Sequence, residues 1–135
     1  PELQDATFAL HDISEANLGM VFQILEKDIA ANKLPAKLTR SVDRRRALEG
    51  ADYVVNCTRI GGLEAFKTDI EIPLKYGIDQ CVGDTICAGG IMYAQRNIPQ
   101  MLAFCADMRE VAASDVLFLN YANPMVMNTW AALDH

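Results

Sequence analysis

The sequence predicts an α/β fold in which helices cover a parallel sheet. Short apolar runs rich in β-branched residues alternate with longer segments whose apolar residues recur at helical spacing. Two of the short runs end in asparagine and lead into a Gly-Gly or an Asn-Pro loop, and ligands of such sheets lie beyond the strand ends. The 135 residues are 51% apolar, enough for one domain with a single core. We therefore expect most of a doubly wound sheet.

The first unit along the chain is a strand followed by a long helix. Residues 7 to 11 form an apolar run that predicts a buried strand ending at Asp12. Ser14 is placed to cap the next helix, because its hydroxyl can accept a hydrogen bond from a first-turn N–H. Asn32 and Pro35 mark the end of this helix. Its apolar stripe consists of Leu18, Val21, Phe22, Leu25 and Ile29.

The second unit is shorter and leads into a third strand. Ala36 to Thr39 predicts a strand, and Asp43 caps a helical turn that Gly50 ends. Tyr53 to Cys57 has the β-branched and aromatic content of an inner strand. Gly61-Gly62 follows it and marks a tight loop.

The following segment predicts two helices around a glycine-rich loop. Leu63 to Tyr76 is interpreted as helical with a break near Pro73. Gly77 to Gly90 holds four glycines without periodicity and predicts a long functional loop. Asn97 and Pro99 predict the start of a long helix, since proline at the first helical position loses no hydrogen bond. The buried face of that helix is predicted to be Ile98, Met101, Leu102, Cys105 and Met108.

The chain closes with a fourth strand and a further helix. Val116 to Asn120 predicts the strand, Asn123-Pro124 a loop and Met125 to Leu133 the helix. The G-x-G-x-x-G turn that usually receives a dinucleotide's pyrophosphate does not occur in the sequence.

The charge balance argues against nucleic-acid partners, and the distribution of apolar residues argues against membrane partners. Twelve Lys and Arg residues oppose 18 Asp and Glu residues, giving a net charge of −6, whereas nucleic-acid binding depends on Lys and Arg that displace counterions. The Arg44-Arg45-Arg46 run is flanked by Asp43 and Glu49 and predicts a solvated helix face in preference to an anion site. No apolar stretch approaches the roughly 20 residues that span a bilayer.

The four cysteines predict reduced thiols in the cytoplasm. Cys57, Cys81, Cys87 and Cys105 are separated by 24, 6 and 18 residues, which gives neither a C-x-x-C pair nor a dense disulfide framework. The same spacing lacks the close pairs of a structural zinc site. We therefore expect no metal ligand within this chain.

Polar residues at three predicted strand ends are the candidates for ligand contact. Asp12 can accept hydrogen bonds from the hydroxyls of an adenosine ribose, or can be a loop carboxylate at a helix start. Asn56, Thr58 and Arg59 would face a cofactor, although an asparagine before a glycine turn also caps backbone groups. The Asn120–Asn123 stretch can bind a sugar hydroxyl or simply form a turn. The residues alone leave both interpretations open at each strand end.

Five stretches of the sequence carry a family resemblance. They are Asp5–Ile13, Tyr53–Asn56 with Ile60–Gly62, Glu71–Gly77, Gly83–Thr85 with Gly89–Met92, and Leu119–Ala131. In this order they resemble family 4 glycoside hydrolases, above all the α-galactosidase branch and then the α-galacturonidases. The resemblance implies a Rossmann-like domain and a glycosidase that uses NAD and a divalent metal, typically manganese, instead of two carboxylates.

The resemblance also implies a reaction and roles for individual residues. In such enzymes NAD takes a hydride from C3 of the sugar, a base removes the C2 proton, the glycosidic oxygen leaves C1, and water then adds. Asp12 would hold the adenosine ribose, Asn56 and Thr58 would line the cofactor, and Asn123 would contact both substrate and cofactor.

The resemblance further implies that residues 1–135 are an internal part of the NAD-binding domain of a longer glycosidase. The family's Gly-rich loop and first strand would precede Pro1, and its metal ligands, acid and base would follow His135. We therefore expect no catalytic residue here, no turnover by the chain alone, and a homo-oligomer for the full-length enzyme.

Three positions depart from the family pattern. Cys87 stands where a glycine is usual and would restrict the loop or crowd its ligand, and Gln95 replaces a common leucine. Arg59 is closer to the phospho-glycosidases, so a charged sugar is a second possible substrate.

The strand pattern would also fit an NAD-dependent 2-hydroxy-acid dehydrogenase of related fold, or a non-catalytic remnant with an unfilled sheet edge.

Overall fold

The protein is seen in a computed structural model that describes residues 3–80, 82 and 85–135. Strands and helices alternate in the predicted order. The elements are β1 (Thr7–His11), α1 (Glu15–Asn32), β2 (Lys37–Ser41), α2 (Arg44–Leu48), β3 (Tyr53–Asn56), α3 (Gly62–Leu74), α4 (Ala88–Val111), β4 (Leu117–Asn120) and α5 (Met125–Asp134). None of the helices in this part of the chain combines the length and the apolar composition that a transmembrane span requires.

The strands pair in parallel, which confirms the predicted fold class. β1 pairs with β2, so that His11 lies opposite Ser41. β3 pairs with β4, so that Asn56 lies opposite Asn120. Within the described ranges these are two separate two-stranded sheets. In each sheet the two strands end at the same edge, where polar side chains meet.

Local capping signals explain the first half of the chain. The Ser14 hydroxyl accepts a hydrogen bond from the Asn17 N–H at 3.3 Å, as predicted for the start of α1. The Asp43 carboxylate accepts from the N–H groups of Arg45 and Arg46 at the start of α2. The second strand begins and ends later than predicted, at Lys37 and Ser41.

The arginine run is a solvated face only in part: Arg45 and Arg46 are exposed, as predicted, whereas Arg44 is half-buried. Arg44 and Arg45 both form ion pairs with Asp107 of α4, and Arg45 also pairs with Glu110. The guanidinium of Arg44 lies over the ring of Phe104. These contacts join α2 to α4, because the Asp107 carboxylate, 63 residues from Arg44 and 62 from Arg45 in the sequence, faces both arginines in the fold.

The core forms where α2 and the β3–β4 sheet pack on α4. Leu48, Cys105 and Met108 are buried there, with Val54 and Phe118 packed against them. Alternate residues of the same strands point to the opposite face and are about half exposed; they are Tyr53, Val55, Leu117 and Leu119. The prediction of an inner strand is therefore wrong for the described residues: β3 pairs on one side with β4 and presents one face to solvent.

Helix α4 begins earlier than predicted, with its N-cap at Cys87, ten residues before the predicted cap Asn97. Cys87 caps it, its sulfur accepting a hydrogen bond from the Gly90 N–H at 3.3 Å, and Asn97 and Pro99 lie inside it. The helix propensity of the sequence around Gly89 did not predict this start, because glycine disfavours a helix locally. In the fold, Gly89 packs directly against α3, where a Cβ would lie 2.7 Å from the Asp69 carbonyl oxygen. The predicted buried residues Met101, Cys105 and Met108 are buried, as expected.

The glycine-rich loop is shorter than predicted because α4 takes its last residues. Helix α3 ends at Leu74, one residue beyond Pro73, so the predicted break lies close to that proline. Cys81 and the Gly83-Asp84 pair lie outside the described residues. Cys87 has a φ of −120°, an extended conformation open to any residue, so the expected backbone restriction is not found.

Candidate functional site

The candidate site lies at the carboxyl ends of β3 and β4. There the Asn56 side chain is only 5% exposed. Its Nδ2 donates a hydrogen bond to Oδ1 of Asn120 at 2.9 Å, and its Oδ1 accepts from the hydroxyl and backbone N–H of Thr58 at 2.8 and 3.2 Å. Asn56 therefore holds the loop that follows β3 to the end of β4.

The same network continues into the loop after β4. Asn120 donates from Nδ2 to the Ala122 carbonyl at 3.1 Å and accepts from the Ala122 N–H at 3.2 Å. The Tyr121 N–H donates to the Asn56 carbonyl at 2.8 Å. These bonds connect the two loops, which we name the β3 loop (residues 57–61) and the β4 loop (residues 121–124).

The β3 loop leads into α3 through a left-handed glycine. Gly61 has a φ of +85° and precedes the first turn of α3, where no side chain caps the helix. Free N–H groups at such a turn favour a negatively charged or carbonyl-bearing ligand. Arg59 stands beside it with its guanidinium over the rings of Phe66 and Tyr93, 4.8 and 5.2 Å from the ring centres.

An ion pair between Asp69 of α3 and Arg96 of α4 supports the β3 loop. Both carboxylate oxygens of Asp69 accept hydrogen bonds from the Arg96 guanidinium, at 3.1 and 2.6 Å, and Arg96 Nε donates to the Ile60 carbonyl at 3.1 Å. The hydrogen bond to Asp69 raises the pKa of Arg96 above its usual value, against the opposing effect of burial. Sequence reasoning missed this pair, because its members are 27 residues apart on different helices.

Asn97 supports the β4 loop in the same way. Its side chain is 4% exposed, and its Nδ2 donates to the Asn123 carbonyl at 2.7 Å. The sequence predicted a helix cap at Asn97, and this prediction is wrong because the side chain is used on a distant loop. Asn128 of α5 is fully buried and donates to the Ala122 carbonyl. An asparagine within the largely apolar segment predicted as the last helix is the sequence signal that could have indicated this contact.

Asp12 lies at the end of β1, as predicted. Its carboxylate accepts a hydrogen bond from the Ser14 N–H at 2.7 Å and is partly buried. It therefore takes the role of a loop carboxylate at a helix start, with one further oxygen to offer a ligand. In the described part of the chain no hydrogen bond joins Asp12 to the β3 or β4 loop.

Thr58 and Asn123 also occupy the predicted strand-end loops. Thr58 is exposed and Asn123 half-buried. Cys57, Cys87 and Cys105 carry free thiols, as predicted. The His11 ring nitrogen Nδ1 lies 2.9 Å from the Ser41 carbonyl. Among residues 3–80, 82 and 85–135, no three His, Cys, Asp or Glu side chains are grouped as metal ligands.

Parallel strands that end in a polar network, followed by an uncapped helix turn, are typical of α/β proteins whose ligands lie beyond the carboxyl ends of the strands. The chain belongs to family 4 of the glycosyl hydrolases, whose sequence profile matches residues 1–135. Over all 135 residues it is 63% identical to an alpha-galactosidase of Rhizobium meliloti (strain 1021), of which it covers 28%.

Two solved structures share the fold. A 6-phospho-alpha-glucosidase from gut microorganisms, in complex with NAD and glucose-6-phosphate, matches 86% of this chain and 26% of its own with a TM-score of 0.76 and 33% identity. The 6-phospho-beta glucosidase of Thermotoga maritima with manganese, NAD+ and glucose-6-phosphate matches 88% of this chain and 28% of its own, with a TM-score of 0.78 and 25% identity. The chain thus spans about a quarter of the length of these relatives, and the Rossmann-like fold is confirmed.

Proposed function

We propose that residues 1–135 are the central part of the NAD-binding domain of a longer enzyme that hydrolyses α-galactosides. The 63% identity to an alpha-galactosidase over every residue of the chain carries this proposal. The solved relatives, which hold NAD and in one case manganese, support the same two cofactors here. Family membership favours a glycosidase over the 2-hydroxy-acid dehydrogenase that the strand pattern alone allowed.

The strand-end geometry supports specific roles in holding NAD. Asp12, with one carboxylate oxygen engaged by the Ser14 N–H, offers the other to a ribose hydroxyl. Thr58 is one of the exposed residues of the β3 loop and is the side chain we expect to touch the cofactor. Asn56 is buried and engaged with Thr58 and Asn120, so its contribution is to shape the loop.

Asn123 in the β4 loop is the residue we expect to contact both cofactor and sugar. The loop lies beside the end of β3, because the Tyr121 N–H is bonded to the Asn56 carbonyl. When bound, NAD supplies a reversible hydride acceptor and the metal a Lewis acid for the sugar oxygens. The residues of this chain bind and orient; we assign the acid, the base and the metal ligands to the rest of the enzyme.

We further propose that the whole enzyme works in the cytoplasm as a homo-oligomer. Three free thiols in the described residues support a reducing compartment. The exposed apolar face of the β3–β4 sheet supports extensive burial against other parts of the enzyme or its copies.

The test is release of p-nitrophenol from an aryl α-galactoside by the full-length enzyme, with and without NAD and manganese, while NADH absorbance is followed. We expect release that needs both additives and leaves no net NADH. A parallel assay with a 6-phosphorylated substrate tests whether Arg59 marks a charged sugar. Steady NADH formation from a free hydroxy acid would replace the proposal by the dehydrogenase.

The isolated 135-residue chain is the matched control. We expect no p-nitrophenol release from it, because the residues assigned to catalysis are not among its own. Glycosidase activity from the chain alone would contradict the proposed division of roles. A full-length protein that fails to bind NAD and releases no product would support the non-catalytic remnant.

A further inference from the structure

Two neighbouring residues of α4 reach the two loops of the candidate site. Arg96 donates to the Ile60 carbonyl in the β3 loop at 3.1 Å, and Asn97 donates to the Asn123 carbonyl in the β4 loop at 2.7 Å. We infer that Arg96 and Asn97 are positioning residues that hold the β3 and β4 loops at a fixed separation and thereby set the affinity for the dinucleotide. This inference rests on the proposed function.

Helix geometry explains why adjacent residues reach different loops. Successive side chains on a helix point about 100° apart, so Arg96 faces α3 while Asn97 turns towards the β4 loop. Tyr93 and Gly89 lie one and two turns before Arg96 on the side that contacts α3. The Gln80 side chain bridges the Asp69 carbonyl and the Gly89 N–H at 3.0 and 3.2 Å, which fixes the two helices side by side.

The Arg96 contact is rigid because the guanidinium is held on three sides. Its two terminal nitrogens are engaged by Asp69, which is 5% exposed, and its face lies over the Tyr93 ring, 5.4 Å from the ring centre. A planar fork fixed in this way leaves Nε one direction in which to donate, towards Ile60. Gly61 leaves room for the Arg96 side chain, because a Cβ at position 61 would lie 3.0 Å from Arg96 Nε.

Burying the Asn97 side chain has a desolvation cost that burying an apolar side chain would not have. Its Oδ1 is buried and has no hydrogen-bond partner among the described residues. An apolar residue in this position would avoid that penalty. The compensating interaction is the bond to the Asn123 carbonyl, which places the β4 loop.

The test measures amide hydrogen exchange and NAD binding in the full-length enzyme. Arg96→Lys keeps the charge beside Asp69 but loses the fork, and Asn97→Ala removes the bond to Asn123. We expect Arg96→Lys to raise exchange in residues 57–62 alone and Asn97→Ala in residues 121–123 alone. Each variant should raise the Kd for NAD about tenfold, the effect of losing one strong hydrogen bond.

Arg109→Lys, an exposed position on the same helix, is the matched control and should change neither readout. Exchange that rises equally throughout α3, α4 and both loops would reveal general destabilisation and overturn the inference. Unchanged exchange in both loops would overturn it as well. If the wild-type enzyme binds no NAD, the proposed function fails, whereas the exchange pattern of the free protein still decides the positioning role.

Discussion

The two halves of the molecule differ in what they bury. The β3–β4 half holds the four buried polar residues of the described chain, which are Asn56, Asp69, Asn97 and Asn128. In the β1–β2 half, which runs from β1 to α2, Leu18 and Leu48 are the buried side chains. Its side-chain hydrogen bonds serve turns and caps, join His11 to the Ser41 carbonyl, or connect α2 to α4. Buried polar groups fix geometry at a cost in stability. The difference indicates that precise loop placement matters in the β3–β4 half, whereas the β1–β2 half depends on packing.

The largest expected effect comes from breaking the buried ion pair. Asp69→Ala leaves the Arg96 guanidinium without its carboxylate, and we expect the free energy of unfolding to fall by about 3 kcal/mol. Thermal denaturation measures it. Glu71→Ala on the same helix is the control, because its pair with Lys67 at 3.7 Å is exposed and contributes little. Equal effects of the two variants would contradict the assigned role of Asp69.

The amide network gives the next largest effect. Asn56→Ala removes the hydrogen bonds that the buried Asn56 side chain makes with Asn120 and Thr58, and a loss of about 2 kcal/mol in unfolding free energy is expected from chemical denaturation. Asn17→Ala on exposed α1 surface serves as the control and should be nearly neutral. A neutral Asn56→Ala would remove the basis for distinguishing the two halves.

A pair of glycines separates backbone strain from steric fit. Gly61→Ala meets Ala65 at 2.5 Å and the Arg96 side chain, and also adopts a φ of +85°, so we expect a cost of about 2 kcal/mol. Gly62→Ala has a φ of +59° with nothing within 4 Å and should cost about 1 kcal/mol. NAD binding should weaken in the Gly61 variant more than in the Gly62 variant.

The ion pairs between α2 and α4 connect the two halves and predict a pH dependence. Burial opposes the shift, but hydrogen bonds from Arg44 and Arg45 lower the pKa of Asp107 below its ordinary 3.8. The stabilisation is therefore complete above that value and is lost as the pH falls through the lower, folded-state pKa. Asp107→Asn should melt earlier than the wild type at pH 7, and the difference should shrink as the pH falls below 3.8.

The smallest effect belongs to the β1–β2 half. Ser14→Ala removes an exposed cap of α1 and should lower the unfolding free energy by about 0.5 kcal/mol. Ser114→Ala, at an exposed turn, is the control for denaturant unfolding. A loss as large as that from Asn56→Ala would show that α1 is as tightly constrained as the site.

The sequence predicted those features that depend on neighbours along the chain. The caps at Ser14 and Asp43, the element order and the strand-end position of Asn56 all follow from local patterns. The start of α4 did not, because Gly89 disfavours a helix locally while its small size permits contact with α3. The positioning contacts of Arg96 and Asn97 escaped for the same reason, since their partners are 26 to 36 residues away.

The pairing of Asn56 with Asn120 has a consequence for assembly of the sheet. A slip of one residue would place the Asn56 amide opposite Leu119, and every side chain of the strand would change face. The amide would then lose its donor and acceptor partners. The asparagine pair thus favours the observed register over a shifted one. The register in which the two strands pair correctly is therefore also the one in which the β3 and β4 loops are held in position for a ligand.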